Sequence, residues 1–209
     1  MSVCIVSMIT AAAALFADYN SAFNQLWFNG LGLKLNKLYC PLYIIAWLKQ
    51  YLCRRKAYIN MKNTSSSIFN LSKGVPQGSC IGPVLFIVYH HDILEALSTI
   101  HWKHLFADDL ATLIAPSSAL TPKEMMKSLR RQLARILRSL INYSITWKQP
   151  INFNKTYWTL FNRQVNPKVS TIKCEGRKVK HLNQIKHLGT ILDTKLSFQA
   201  HIDYIKSKI

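Results

Sequence analysis

Two adjacent carboxylates, Asp108 and Asp109, stand inside a largely apolar run from Leu105 to Ile114. No other feature limits the possible folds as tightly. A carboxylate taken out of water must be solvated or neutralised, and this 209-residue chain has only nine Asp and Glu against 27 Lys and Arg. Two of those nine, side by side in an apolar hairpin, imply that something cationic sits between them. The simplest candidate is a pair of divalent ions shared with Asp18, which follows a stretch, Met1 to Ala17, that carries no charge.

The formal charge of +18 is a statement about partners, and the readiest partner is a phosphate backbone. Charge alone leaves a ribosomal-type or merely soluble basic protein ahead; charge combined with rare, positioned carboxylates favours an enzyme acting on nucleic acid. A hydrophobic fraction of 49% excludes a disordered chain, and the length suits one core, or one domain with an appendage. Five scattered cysteines without a CxxC pattern support neither a zinc ribbon nor a disulfide framework, which fits a reducing, intracellular setting. The histidines His90, His91, His101 and His104 lack the Cys or carboxylate spacing of a metal site. The opening residues 1–13 read as an atypical apolar leader. They have no basic start for a signal peptide and fall short of the roughly 20 residues of a membrane span, so secretion and membrane insertion are not expected.

Hydrophobic spacing predicts a strand over 14–23 that ends at a loop carrying Asp18, then a helix from Leu38 to Leu52. Residues 57–61 and 68–71 read as a hairpin, 74–78 as a loop, and Ile81 to Leu97 as one long helix with Pro83 in its first turn. Thr121-Pro122-Lys123-Glu124 is a capping-box pattern opening a helix with Leu129, Leu133, Ile136 and Leu140 on one stripe. Arg131, Arg135 and Arg138 lie mostly off that stripe, as a solvated basic face or a surface for nucleic acid. Residues 151–161 and 179–192 read as strands, and 201–209 as a short helix. The mixed order argues for a single α+β domain.

Three segments carry a resemblance. They are Phe16-Ala17-Asp18-Tyr19-Asn20-Ser21-Ala22-Phe23, Gly74-Val75-Pro76-Gln77-Gly78-Ser79-Cys80-Ile81-Gly82-Pro83, and Phe106-Ala107-Asp108-Asp109. In this order they resemble motifs A, B and C of reverse transcriptases, especially those of non-LTR (LINE-like, jockey-like) retrotransposons. The resemblance implies a right-hand polymerase palm over 14–209, an antiparallel sheet with flanking helices, with fingers and thumb incomplete. It implies RNA-directed DNA polymerisation with two Mg²⁺ or Mn²⁺ ions, on an RNA template, a DNA primer and deoxynucleoside triphosphates. It is expected in the nucleus or a cytoplasmic ribonucleoprotein. Asp18 and Asp108 would be the principal metal ligands and Asp109 the third carboxylate, although Asp18 alone could be an ordinary strand-end residue. Pro76, Gln77 and Gly78 would line the nucleotide site.

Phe23 falls where the family places an aromatic or bulky residue against the sugar 2′ position; it also reads as plain core. Lys155 in Asn152-Phe153-Asn154-Lys155 resembles the motif D lysine that assists departing pyrophosphate, or is an exposed strand lysine. Leu188 and Gly189, after His187, resemble the region that grips the primer. Asn24 departs from the Asp usual after motif A's Phe. The other reading is an inactive retroelement remnant that binds nucleic acid without catalysis.

Overall fold

The segment Ala11–Ala17, every residue of it buried, becomes the first strand in the computed structural model of the protein, which describes residues 11–97, 102–116, 120–162 and 171–208. In chain order the elements are β1 (Ala11–Ala17), α1 (Ala22–Gln25), α2 (Phe28–Lys37), α3 (Leu42–Leu52), β2 (Arg55–Ala57), β3 (Asn60–Met61), β4 (Thr64–Ser65), β5 (Phe69–Leu71), α4 (Gly82–His90) and α5 (Ile93–Ala96). There follow β6 (Trp102–Phe106), β7 (Asp109–Ile114), α6 (Pro122–Thr146), β8 (Tyr157–Asn162), β9 (Ile172–Cys174), β10 (Arg177–His181), β11 (Gln184–His187), β12 (Thr190–Asp193) and α7 (Gln199–Lys206). Two compact units are distinguished within the chain: residues 1–18, 96–142 and 151–209, and residues 19–95 and 143–150.

The first unit is built on a six-stranded sheet in the order β6-β7-β1-β8-β10-β9. Strand β1 lies between two antiparallel neighbours, β7 and β8. Buried on both faces, it reads as a continuous apolar run rather than an alternation, and four consecutive alanines adopt a strand despite their helix propensity because tertiary packing overrides it. The boundary drawn from sequence between residues 13 and 14 falls inside this strand. Leader residues 1–10, Cys4 and His101 lie outside the described residues.

Register fixes which face each side chain takes. Phe16 pairs with Ala111 and Tyr157, so these share a face with Asp109, two residues before Ala111. That face carries a cluster of Ala14, Phe16, Ala111, Phe161 and Ile185, closed by Leu192 and Leu196 from the β11–β12 hairpin and the turn after it. The other face holds Leu15, Leu110 and Trp158, continued by His181, Val179, Ile172 and Cys174. The Cys174 thiol donates to the Ala134 carbonyl of α6 at 3.6 Å, so α6 packs on the face opposite Asp109. Its buried stripe is Met125, Leu129, Leu133, Ile136, Leu137 and Leu140. At its start Glu124 accepts from the Thr121 amide at 3.0 Å while the Glu124 amide donates to the Thr121 hydroxyl at 3.4 Å, the capping box read from sequence.

In the second unit, α2, α3 and α4 enclose Leu26, Leu31, Leu35, Leu48, Leu52, Val75, Leu85 and Tyr89. The predicted long helix 81–97 is broken at His91, and α2 was not foreseen. The break lets Asp92 meet Lys34, a fully buried ammonium that donates to Asp92 Oδ1 at 2.5 Å, the Tyr89 carbonyl at 2.6 Å and Tyr143 Oη at 2.7 Å. It also sits over the Trp147 ring at 3.9 Å. No described helix is long and apolar enough to cross a membrane.

Candidate active site

Strands β1 and β7 bring distant carboxylates together. Their register runs Leu15↔Thr112, Phe16↔Ala111, Ala17↔Leu110; one further step sets Asp18 opposite Asp109, where cross-strand Cβ atoms are roughly 4.5–5.5 Å apart. Asp108 sits in the two-residue turn between β6 and β7, closed by the pair Phe106↔Asp109. Ala107 takes a left-handed φ of 52° there, a conformation that disfavours any residue with a Cβ by about 1–2 kcal/mol. Burial lifts the Asp109 carboxyl above the usual carboxylate range; Asp108 and Asp18 push the same way, and His187 and Lys155 pull back only in part. The three acids therefore feel one another's charge.

Lys155 reaches this group from the loop before β8, with Nζ 3.4 Å from Asp18 Oδ2. Asn152 builds that loop. Its amide donates to the Asp18 carbonyl at 2.8 Å, its carbonyl accepts from the Lys155 amide at 3.0 Å, and its side-chain Oδ1 accepts from the amides of Asn154 and Lys155. Tyr157 stacks on Phe16 at 5.6 Å, and His187 tilts against Phe16 at 4.9 Å. Burial raises the Tyr157 hydroxyl, helped by Asp109 and Asp18, and burial lowers the His187 imidazole. Asn152, Tyr157 and His187 were missed as site residues; the Asn-x-Asn-Lys turn and the His before Leu188-Gly189 were their only signals in the sequence. Leu188 and Gly189 form the β11–β12 turn, both at positive φ (46° and 84°), as a type I′ hairpin requires.

The second unit by itself has a cleft of about 460 Å³ lined by Phe23, Pro76, Gln77, Gly78, Ser79, Cys80, Gly82 and Pro83. The motif B loop is anchored by two amides, Gly74 donating to the Leu26 carbonyl at 2.8 Å and Val75 to the Phe23 carbonyl at 3.0 Å. At Gly74 φ is +82°, and a Cβ would sit 2.8 Å from Asn24 Cα, so no other residue fits. The Phe23 ring stacks on Phe86 at 4.1 Å, while Gln77 donates to the Asn24 side-chain carbonyl at 3.1 Å. Asn24, the departure from the motif, thus positions Gln77. Arg131, Arg135 and Arg138 join neither group; all three are exposed on α6, behind the sheet.

Residues 4–192 match the family described as reverse transcriptase (RNA-dependent DNA polymerase). The chain belongs to the reverse transcriptase family. It is 31% identical over 191 residues to a probable RNA-directed DNA polymerase from transposon BS of Drosophila melanogaster, covering 90% of this chain and 21% of that protein. Against the RNA-directed DNA polymerase from mobile element jockey of the same fly, identity is 29%, with 93% of this chain and 21% of that protein covered. This reverse transcriptase domain thus spans about a fifth of the curated relatives it matches. Among solved structures, apo telomerase from Candida tropicalis, truncated from its C-terminal domain, superposes with a TM-score of 0.62 at 12% identity, over 91% of this chain and 35% of that one. At that identity the likeness concerns the fold alone, a polymerase palm.

The donor set of the reverse transcriptase domain fits a hard divalent cation: oxygen-only, acidic, and already burdened by its own repulsion. Among the described residues, no group of three or more His, Cys, Asp or Glu side chains is gathered closely enough to hold an ion as it stands.

Proposed function

We propose that this domain performs RNA-directed DNA synthesis, extending a DNA primer on an RNA template. The observation that carries the reading is the convergence of Asp18, Asp108 and Asp109 at the end of the β1–β7 pair, where burial first, and then the charges of Asp108 and Asp18, lift Asp109 above its ordinary pKa. In the reaction the primer 3′-oxygen attacks the α-phosphorus of a deoxynucleoside triphosphate. The bond to the bridging oxygen of the β-phosphate breaks, pyrophosphate leaves, and the hydroxyl proton passes to solvent. Asp18 and Asp108, with Asp109, would hold two Mg²⁺ or Mn²⁺ ions, which supply stabilisation of the charge developing on the phosphoryl oxygens. Lys155, flexible and largely exposed, stands beside Asp18 where an ammonium can meet the departing pyrophosphate. The β11–β12 turn at Leu188 and Gly189 offers a hairpin edge beside the carboxylates for the primer end.

Phe23, held by its stack on Phe86, presents a fixed aromatic wall in the cleft of Pro76, Gln77 and Gly78. A ribose 2′-hydroxyl would clash with such a wall, so the cleft suits deoxynucleotides. Between Asp18 and Asp92 the sequence contains no acidic residue, which suits surfaces that follow phosphate. An intracellular site of action, nuclear or in a cytoplasmic ribonucleoprotein, accords with the scattered thiols.

A second reading, a remnant that binds nucleic acid without catalysis, is favoured by one observation: among the described residues the acidic side chains are not gathered into a metal cluster. Extension of a DNA primer annealed to RNA separates the two. The proposal predicts extension with deoxynucleotides that requires Mg²⁺ or Mn²⁺ and stops with chelator, and it predicts that Phe23→Ala admits ribonucleotides at least 10-fold better relative to deoxynucleotides. Binding without any extension would establish the remnant.

A further inference from the structure

The basic residues of α6 are placed where the polymerase reaction has no use for them. At about 100° per residue, Lys123, Lys127, Arg130, Arg131, Arg135 and Arg138 fall within an arc of roughly 140°. The buried stripe from Met125 to Leu140 occupies the opposite side of the helix. All six are exposed. Because the stripe packs on the sheet face opposite Asp109, through contacts that include the Cys174 thiol and the Ala134 carbonyl, the basic arc points away from the carboxylates. Among the described residues the ion pair recorded on this ridge is Arg138 to Glu175, at 3.7 Å between two exposed side chains. Glu124, exposed in the first turn, falls inside the same arc; from there to Glu175 the sequence has no acidic residue, so the ridge keeps its charge beyond that turn.

We infer that this ridge is a second nucleic-acid site, for the phosphate backbone of a duplex separate from the template and primer at the carboxylates. Lys123 to Arg138 span 15 residues, roughly 22 Å of straight helix, a rigid line of charge set against about two-thirds of a duplex turn. Surfaces for single strands interleave aromatic side chains on which bases stack; residues 122–142 contain none. The ridge therefore reads charge and shape, not sequence. It goes beyond the proposed polymerisation and does not depend on it.

The test titrates labelled 20-base-pair duplexes, DNA in one arm and RNA in the other, into the chain whose carboxylate site is saturated by a single equivalent of unlabelled primed template. Complex stoichiometry is read by sedimentation, and affinity is followed against salt. The expected result is that a duplex joins the saturated chain, and whichever arm binds identifies its kind. The variant K127Q/R130Q/R131Q/R135Q should lose the second duplex, with a salt slope shallower by about 0.9 per charge removed. Lys at the three arginine positions should retain binding, and K178Q/K180Q, which by register includes charge on the carboxylate side, should leave the second event unchanged. If the duplex displaces primed template one for one, or if the four-fold variant binds as the wild type does, the inference fails. A chain that never extends primers would still show or lose the duplex, so that outcome bears on the proposed function alone.

Discussion

Lys34 carries a positive charge into a place water does not reach. Burial pushes its ammonium down to about 8, against the hydrogen bond and charge of Asp92. Burial also works against the Asp92 carboxylate, but hydrogen bonds from Lys34 and Tyr143 outweigh it and hold the group below its ordinary range. Removing one partner of such a pair leaves the other uncompensated, so Lys34→Met should lower stability by about 3 kcal/mol in urea unfolding; a loss under 1 kcal/mol would mean that Asp92 is adequately solvated without it. His90 makes the complementary case. Its Nδ1 faces the Phe86 carbonyl at 3.0 Å and its Nε2 has no partner among the described residues, so burial depresses the imidazole to about 4 from 6.5. Between those values the unfolded chain binds a proton that the folded chain does not. Stability is therefore complete above pH 6.5 and falls as pH drops towards 4, by up to about 3 kcal/mol. His90→Phe should flatten that slope, and an unaltered acid limb in chemical denaturation would assign it to other groups. Neither residue was legible as buried: a Lys in Leu33-Lys34-Leu35 and a His pair look like surface until the break at His91 supplies Asp92.

At the scale of elements, α6 was the easiest to read, because its capping box and its apolar stripe agree with each other. α2 was invisible because Phe28-Asn29-Gly30-Leu31-Gly32 has the composition of a turn. Packing explains the helix. A Cβ at Gly30 would come within 2.6 Å of Trp27 Cε3 and 3.1 Å of the Tyr89 hydroxyl, so the glycine serves close approach. Gly30→Ala should then destabilise by about 1–3 kcal/mol through overpacking, although Ala is the better helix former by about 1 kcal/mol. Gly32, with open space around it, is the internal control: Gly32→Ala should stabilise, and thermal melts that move both variants the same way would refute the packing account. Strand β1 was placed three residues late and run on to residue 23, because its uniform burial hides both its start and its end.

For the molecule as a whole, the acids of the site were legible as residue types, while their meeting was implied by the resemblance and by no local pattern. Asp18 and Asp109 come together only through the pairing of β1 with β7, a contact across more than 90 positions that no local pattern announces. Asn152 and His187 were hidden for the same reason: each acts by where a loop or hairpin is folded back. The central claim is that Asp18 and Asp108 are catalytic and dispensable for binding. Primer extension on an RNA template, measured for wild type, Asp18→Asn and Asp108→Asn with binding followed in parallel, tests it most directly. The account predicts that each substitution lowers extension at least 1,000-fold, given that the developing phosphoryl charge is the largest obstacle to be stabilised. Affinity for primed template should be unchanged or stronger, because a negative charge has been removed from a basic surface. Extension by either variant at a rate near wild type would contradict it.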